Sequence, residues 1–595
     1  MDKKFALQEL NKFRKTGDIS DYHFSFAKKD SGYSISKKEN DIKIAANTNA
    51  DLLRAYNYAL GLVNEQKDQE VNVTANFDQV IAMIDLARNA VLSVKTLKSE
   101  ICRLAGLGYT EIWLYLEDEF EIPDEPYFGL SRGRYSQDQL HELALYSDKL
   151  GVDLVPAIQT LGHLKNVFKW QHYNNTIADT DNNLYPGKKE VRDFVEKELK
   201  AATAPFLTNK IHIGMDEAYS IGLGKYYFDH KDQVINQEEL IKEHAQMVFD
   251  LCKKLELKPM MWSDMWFEIG SPTNMMYDPK AKLDQFKVDP EIGQVYWDYY
   301  STDKSHYLPV MKKHFELTDN VYFAGGIWTW GRLAPNQSKM KASIKAGLEA
   351  AKAVGIKKVA ATAWRDDSAE TPFAASYLGW QVFSEYQYLD EPTEADFEQD
   401  FRLLQNEDYQ SYLLLDNFDN FRAVVNEKDM IPSKLLLYED LIQPRFYQNF
   451  KKVQLTDYYH ELAESLSDAI PSENSALMFD YYIQLAAVLS EKVQLLNDLS
   501  RKRAKQEELE DYKDSLQKLA KIRRMLWFRE NKASGSEIMD IRFGGMIERI
   551  KTVEYLLSQG TYQMEIPEVE MDKHIDDDFG NARYFEIVSP SDISW

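Results

Sequence analysis

Two hydrophobic rhythms share the middle of the chain: short runs rich in Val, Ile, Tyr and Trp, and longer stretches in which apolar positions recur every three or four residues. The first rhythm predicts strands and the second amphipathic helices. Eight strand-like runs follow one another at 80–85, 111–117, 152–158, 210–216, 258–264, 294–300, 321–328 and 358–364. Helical patterns such as 96–108, 136–151, 237–258 and 339–357 lie between most of them, and several close on or near a Gly, the usual helix stop. Strands alternating with helices specify a parallel sheet with helical crossovers, and eight repeats predict a (β/α)₈ TIM barrel of the α/β class. The barrel is expected over 76–390. A small α/β domain over 1–75 precedes it, with alternating stretches such as "YHFSFAK" followed by a helical pattern. After Gln381 the strand runs stop, and 391–595 reads as an α-helical domain.

Active sites of such barrels form at the C-terminal ends of the strands. The fourth run ends "KIHIGMDE", placing Asp216 and Glu217 where an apolar strand meets solvent. Two charges at the exit of a buried strand are costly unless used. Period-two alternation predicts that they start on opposite faces, in different surroundings, so that one carboxyl stays ionised while the other holds a proton. That division suits glycoside hydrolysis, whereas the same pair in isolation also fits an ordinary acidic turn.

The other strand ends supply Asp85 and Arg88, Glu117 and Asp118, Gln159 and His163, then Trp262, Asp264 and Trp266. Trp297, Asp298 and Tyr299 follow, then Trp328 and Trp330, and finally Trp364, Asp366 and Asp367. Aromatic walls with a few carboxylates and one Arg describe a sugar pocket, because pyranose C–H faces pack on indole while carboxylates accept from hydroxyls. His212, in mid-strand, also reads as a core histidine, and Arg88 as one half of a barrel salt bridge.

These motifs, taken in order, make the chain resemble the family 20 glycoside hydrolases, the β-N-acetylhexosaminidases. His212, Gly214, Asp216 and Glu217 match the family's His-x-Gly-x-Asp-Glu motif, Asp85 and Arg88 its first-strand Asp-x-x-Arg, and Pro156, Ile158, Gly162 and His163 its third-strand motif. The resemblance covers about 80–380 and is closer to the intracellular hexosaminidase D-like and streptococcal branch than to secreted lysosomal enzymes. It implies removal of terminal non-reducing β-linked GlcNAc and GalNAc with retention, through attack by the substrate's own 2-acetamido oxygen. In that scheme Asp216 orients the acetamido N–H and Glu217 is the acid and then the base. Arg88 grips hydroxyls, Tyr299 holds the acetamido oxygen, and Trp266, Trp297 and Trp330 or Trp364 enclose the group. His163 also belongs to the binding set, and Asp298, Asp366 and Asp367 compete for the 4- and 6-hydroxyls. Two departures bear on subsite detail: "YLEDEF" on the second strand and "WRDD" on the eighth.

Two other classes stay open: a metal-dependent barrel amidohydrolase or deacetylase using His163, His212 and Asp216, and a non-catalytic sugar-binding barrel. The first lacks a closely spaced His-x-His on the first strand. The second would not need an intact Asp216-Glu217. No metal or cofactor is expected.

A formal net charge of −25 and the lack of a basic stripe exclude a nucleic-acid partner. The charged N-terminal residues and the absence of a long apolar run point away from a membrane. Only Cys102 and Cys252 occur, each within a helical pattern, as fits reduced core thiols in the cytoplasm. The Trp-, Arg- and Gly-rich segment 527–550 is expected either to pack on the barrel or to reach a partner's site in a homodimer.

Overall fold

The computed structural model describes residues 1–286, 288–420, 429–450, 454–469, 471–566, 582–589 and 591. At the N-terminus, strands β1 (His23–Lys28), β2 (Tyr33–Lys38), β3 (Asp41–Ala46) and β4 (Gln69–Val73) form one sheet in the order β1-β3-β2-β4. The helix Asn49–Asn64 lies against β2 and β3 and is buried along nearly its whole length, because its other side packs on the barrel helix Val94–Leu107 and on the helix Glu394–Gln405. Arg54 is the buried clasp of this contact. Its guanidinium donates to both Glu385 carboxylate oxygens at 2.7 Å, to the Leu107 carbonyl at 3.0 Å and to Ser384 Oγ at 3.2 Å.

The barrel closes from β5 (Gln79–Asp85) through β6 (Glu111–Tyr115), β7 (Asp153–Ala157), β8 (Lys210–His212), β9 (Lys258–Trp262), β10 (Gly293–Trp297), β11 (Val321–Gly326) and β12 (Lys358–Ala363). Every neighbouring pair is parallel, and β12 returns to β5 over six residues. The strands read as nearly continuous apolar runs because side chains on both faces are covered. Helix boundaries follow their local chemistry: Ser136 caps Gln137–Leu150 with a reciprocal Gln139 contact, and Gly151 ends it in the left-handed conformation at φ +76°.

Inside the barrel, side chains stack in layers. Lys210 Nζ bridges Glu111 (2.5 Å) and Asp153 (2.7 Å) in the lowest layer. Above it Trp113, His212, Trp262 and Tyr322 fill the bore, with His212 and Trp262 ring centroids 4.4 Å apart. His212 is therefore a core residue. It is fully buried, burial pushes its pKa down to about 3, and its Nδ1 accepts the Gly214 N–H.

The helical region follows the barrel, and its long helices Ala476–Ser500, Gln506–Glu530 and Ser536–Ser558 pack in sequence. The segment 527–550 lies on the barrel of its own chain: the Lys532 N–H donates to the Val91 carbonyl at 2.7 Å, and Arg542 pairs with Asp367 at 2.6 Å.

Arg54→Met leaves the Glu385 carboxylate buried without its charge partner, which costs about 3–5 kcal/mol. The urea unfolding midpoint should fall accordingly. Adding Glu385→Gln should restore part of the loss, since the orphaned charge is then gone.

Candidate active site

The site is built around a strand that ends early. β8 stops at His212, and the chain then turns through two consecutive left-handed residues, Gly214 (φ +70°) and Met215 (φ +74°), before Asp216; Glu217 is left-handed as well (φ +50°). Only glycine fits the first of these: a Cβ at Gly214 would lie 2.2 Å from Gln159 Oε1 and 2.6 Å from the Ile158 carbonyl oxygen. Asp216 and Glu217 consequently do not take opposite strand faces, as period-two alternation predicts. Beyond His212 there is no strand to alternate, and the turn brings both carboxylates to His163, whose Nε2 lies 3.2 Å from Asp216 Oδ2 and 3.6 Å from Glu217 Oε2.

Their electrostatics diverge although they are neighbours. Burial would raise Asp216, but the His163 imidazolium and the Gln159 amide, which donates to Oδ1 at 2.7 Å, outweigh it and hold Asp216 below the usual carboxylate range. Burial pulls His163 down, and Asp216 overrides it, setting its pKa at about 9. Burial followed by the Asp216 charge pushes Glu217 up. The same two causes hold Asp264 well above its usual range, and one of its oxygens accepts the Glu217 backbone N–H at 2.9 Å.

The pocket over these acids has a volume of about 480 Å³, counting its open mouth. Arg88, His163, Asp216, Glu217, Trp297, Tyr299, Trp330, Trp364 and Asp366, all expected from the sequence, line it together. Trp297 stacks on Tyr299 with centroids 5.6 Å apart, and Trp330 meets Tyr299 edge-on at 5.4 Å. The Tyr299 hydroxyl accepts the Trp364 indole N–H at 2.9 Å, and burial keeps its own proton on. Arg88 lies over the ring of Trp364, its Cζ 5.8 Å from the centroid; its Nε donates to Asp366 at 2.9 Å and its Nη1 pairs with the buried Glu117.

Three expected residues lie elsewhere. Trp266 packs on Phe286 in a separate surface groove, because the chain enters the helix Asp264–Gly270 directly after β9 and Trp266, its third residue, is turned away from the barrel mouth. Asp298 accepts from the Tyr296 hydroxyl at 2.9 Å, His306 Nε2 at 2.8 Å and the Tyr300 N–H at 3.0 Å, which commits both its oxygens outside the pocket. Asp367 binds Lys434 and Arg542 of the helical region. In their place the pocket gains Trp262 and Tyr300, with Glu117, Gln159 and Asp264 behind the lining. All but Tyr300 stand among the strand-end residues of the sequence. What was missing is which strand-end side chains face inward.

His163, Asp216 and Glu217 place one donor atom each within 4.8 Å of one another, close enough to share a cation. A metal there would have to displace the proton that Asp216 holds on His163 up to pH about 9. His212, the other histidine of the metal-dependent reading, is enclosed by the barrel core below.

Residues 116–287 match the family model of the glycosyl hydrolase family 20 catalytic domain, and residues 410–578 that of the glycoside hydrolase 20C C-terminal domain. Hexosaminidase D of Bos taurus is 23% identical over 261 residues, covering 41% of this chain and 70% of that protein. Among solved structures, the GH20 exo β-N-acetylglucosaminidase of Vibrio harveyi superimposes with a TM-score of 0.51 at 14% identity, over 70% of this chain and 72% of its own. The GH20 β-N-acetylhexosaminidase of Streptomyces coelicolor A3(2) gives 0.50 at 14% identity, over 68% and 90%. At these identities the structural likeness is one of fold.

Gly214→Ala should destabilise the fold by at least about 2 kcal/mol, since the new Cβ adds a clash to a left-handed backbone. Residual folded protein should have lost the His163–Asp216 pairing. Thermal unfolding, together with the His163 titration followed by NMR, checks both.

Proposed function

The chain belongs to glycoside hydrolase family 20, and from that premise we propose that it is an exo-acting β-N-acetylhexosaminidase. It removes terminal non-reducing β-linked GlcNAc and GalNAc with retention, by the substrate-assisted route that departs from the two-carboxylate scheme. The observation that carries the reading is the pair Asp216 and Glu217, adjacent in one turn yet pushed in opposite directions, the first toward the anion and the second toward the acid.

The geometry supports a division of roles. The 2-acetamido oxygen attacks the anomeric carbon while Glu217, its side chain 41% exposed toward the mouth, gives its proton to the departing glycosidic oxygen. Asp216, oriented by Gln159 and His163, accepts the acetamido N–H and stabilises the positive charge of the oxazolinium. Tyr299 has one lone pair occupied by Trp364 and a proton to give, which suits it to the acetamido oxygen; Trp297 and Trp330 wall the group in. Glu217, now a carboxylate, takes a proton from the water that opens the ring. Arg88 with Asp366 and Glu117 is left to read the sugar's remaining hydroxyls. Asp366 is 44% exposed and accepts one Arg88 N–H on one oxygen, so it can follow either orientation of the 4-hydroxyl. Cys102 and Cys252 are both buried free thiols, which supports a reducing compartment such as the cytoplasm.

Glu217→Gln should slow hydrolysis of substrates with poor leaving groups by at least roughly a hundredfold, the usual worth of general acid catalysis, and nitrophenyl substrates less. Equal losses on both would remove Glu217 from the acid's role. Nitrophenyl N-acetyl-β-glucosaminide and its galactosamine epimer should both be cleaved, the 2-hydroxy glucoside hardly at all, and addition of a chelator should change none of these rates.

The pH profile tests the charge pairing. His163 lowers the Asp216 pKa, so His163→Gln raises it, and the ionised Asp216 is lost at a higher pH on acidification. The acid limb of kcat/KM should therefore move to higher pH. A second kinetic series concerns Arg88→Ala, which should weaken both epimers by about 2 kcal/mol or more if it removes a charge-assisted hydrogen bond made in the transition state.

A further inference from the structure

Three consecutive non-glycine residues directly after Asp366 adopt the left-handed conformation: Asp367 (φ +54°), Ser368 (φ +75°) and Ala369 (φ +55°). Such a run opposes the intrinsic preference of L-residues and persists only where its surroundings impose it. Those surroundings belong to the helical region. Arg542 donates to Asp367 Oδ1 at 2.6 Å and pairs with Glu370 at 2.5 Å. Lys434, fully buried, bridges the same two acids at 2.5 and 2.7 Å and donates to the carbonyl of Gly331, next to Trp330 of the pocket. Arg523 takes the Ala369 carbonyl at 2.7 Å.

The same region grips the loop after β5, which carries Arg88. The Lys532 N–H donates to the Val91 carbonyl at 2.7 Å, and the Ser93 N–H to the Glu530 carbonyl at 2.9 Å. Gly535 sits so close that a Cβ there would lie 2.1 Å from the Asn89 carbonyl oxygen. Asn89 in turn donates to Ser368 Oγ at 3.3 Å. Both halves of the Arg88–Asp366 pair thus stand on loops whose backbone is held from outside the barrel.

We propose that the helical region completes the active site, with Arg542 a positioning residue that holds 367–370 in place and through it sets Asp366 against Arg88. The inference rests on the hexosaminidase reading for its kinetic consequence but not for its structural one. Arg542 also donates to the Asp367 carbonyl at 3.2 Å, and charge-assisted contacts to a carboxylate and its own backbone carbonyl, made by one guanidinium, fix orientation as well as distance. A loop freed of them relaxes toward ordinary backbone angles and carries Asp366 away from the sugar.

The test compares wild type, Arg542→Met, Arg542→Lys and Arg524→Ala. The last removes an exposed ion pair between Arg524, the neighbour of Arg523 on the helix Gln506–Glu530, and Asp540 on the helix that carries Arg542. Each full-length variant is assayed for kcat and KM on both nitrophenyl epimers and for amide hydrogen exchange in peptides covering 86–93 and 365–372. In Arg542→Met, KM should rise by about tenfold for both epimers, with kcat changed less, and exchange should quicken in both peptides. Arg542→Lys should recover part of both effects, and Arg524→Ala should match wild type. Where Arg542→Met does not fold, Arg542→Lys carries the same comparison with an intermediate effect. Unchanged KM and unchanged exchange in a folded Arg542 variant would overturn the proposal. A wild type inactive on both epimers would defeat the hexosaminidase reading alone, and exchange would still decide the clamp.

Discussion

A buried carboxylate that must stay ionised is the constraint from which the rest of the site follows. Asp216 sits beneath an aromatic pocket where burial alone would neutralise it. The cationic His163 and the Gln159 amide preserve its charge, and that charge then acts on its neighbours. It holds the proton on His163, and with burial it favours the acid forms of Glu217 and Asp264. One ionised group in a low-dielectric site therefore distributes protons over three others, which is how adjacent carboxyls come to have opposite tasks.

The barrel makes that arrangement rigid from below. Its bore is closed by Trp113, His212, Trp262 and Tyr322, so the turn carrying the acids rests on interlocked rings. His212 contributes by staying neutral and accepting the Gly214 N–H, a backbone role inside what reads as a catalytic motif. The same barrel is anchored at the N-terminal module by Arg54 and at the helical region by Arg542 and Lys434, each buried cation matched to barrel-side carboxylates. A buried ion pair adds little net stability, but it specifies geometry, because an unmatched charge is so costly.

Much of this was legible in the residues. The alternation of apolar runs and helical periods determined the eight-stranded parallel barrel, since each element must bury one particular face. The motif around Asp216 and Glu217 located the chemistry, and the strand-end rule brought nine of the twelve expected residues to one pocket. Trp266, Asp298 and Asp367, like every expected pocket residue but Trp297, lie beyond the ends of their strands, where the local turn and not alternation decides direction: an immediate helix turns Trp266 away, a hydrogen-bonded turn Asp298, and a left-handed run Asp367.

By itself, then, the sequence determined which elements form, their order and which strand ends carry acids and indoles, because these depend on local periodicity and on side-chain chemistry. Only the tertiary structure decided that β8 stops at His212, that Asp216 is paired with His163 from another strand's loop, and that Asp366 faces the pocket while its neighbour Asp367 faces Arg542. The physical reason is the same in each case. Pairing energies between residues tens to hundreds of positions apart outweigh the small backbone preferences that a linear pattern records, and they appear only when the chain has closed on itself.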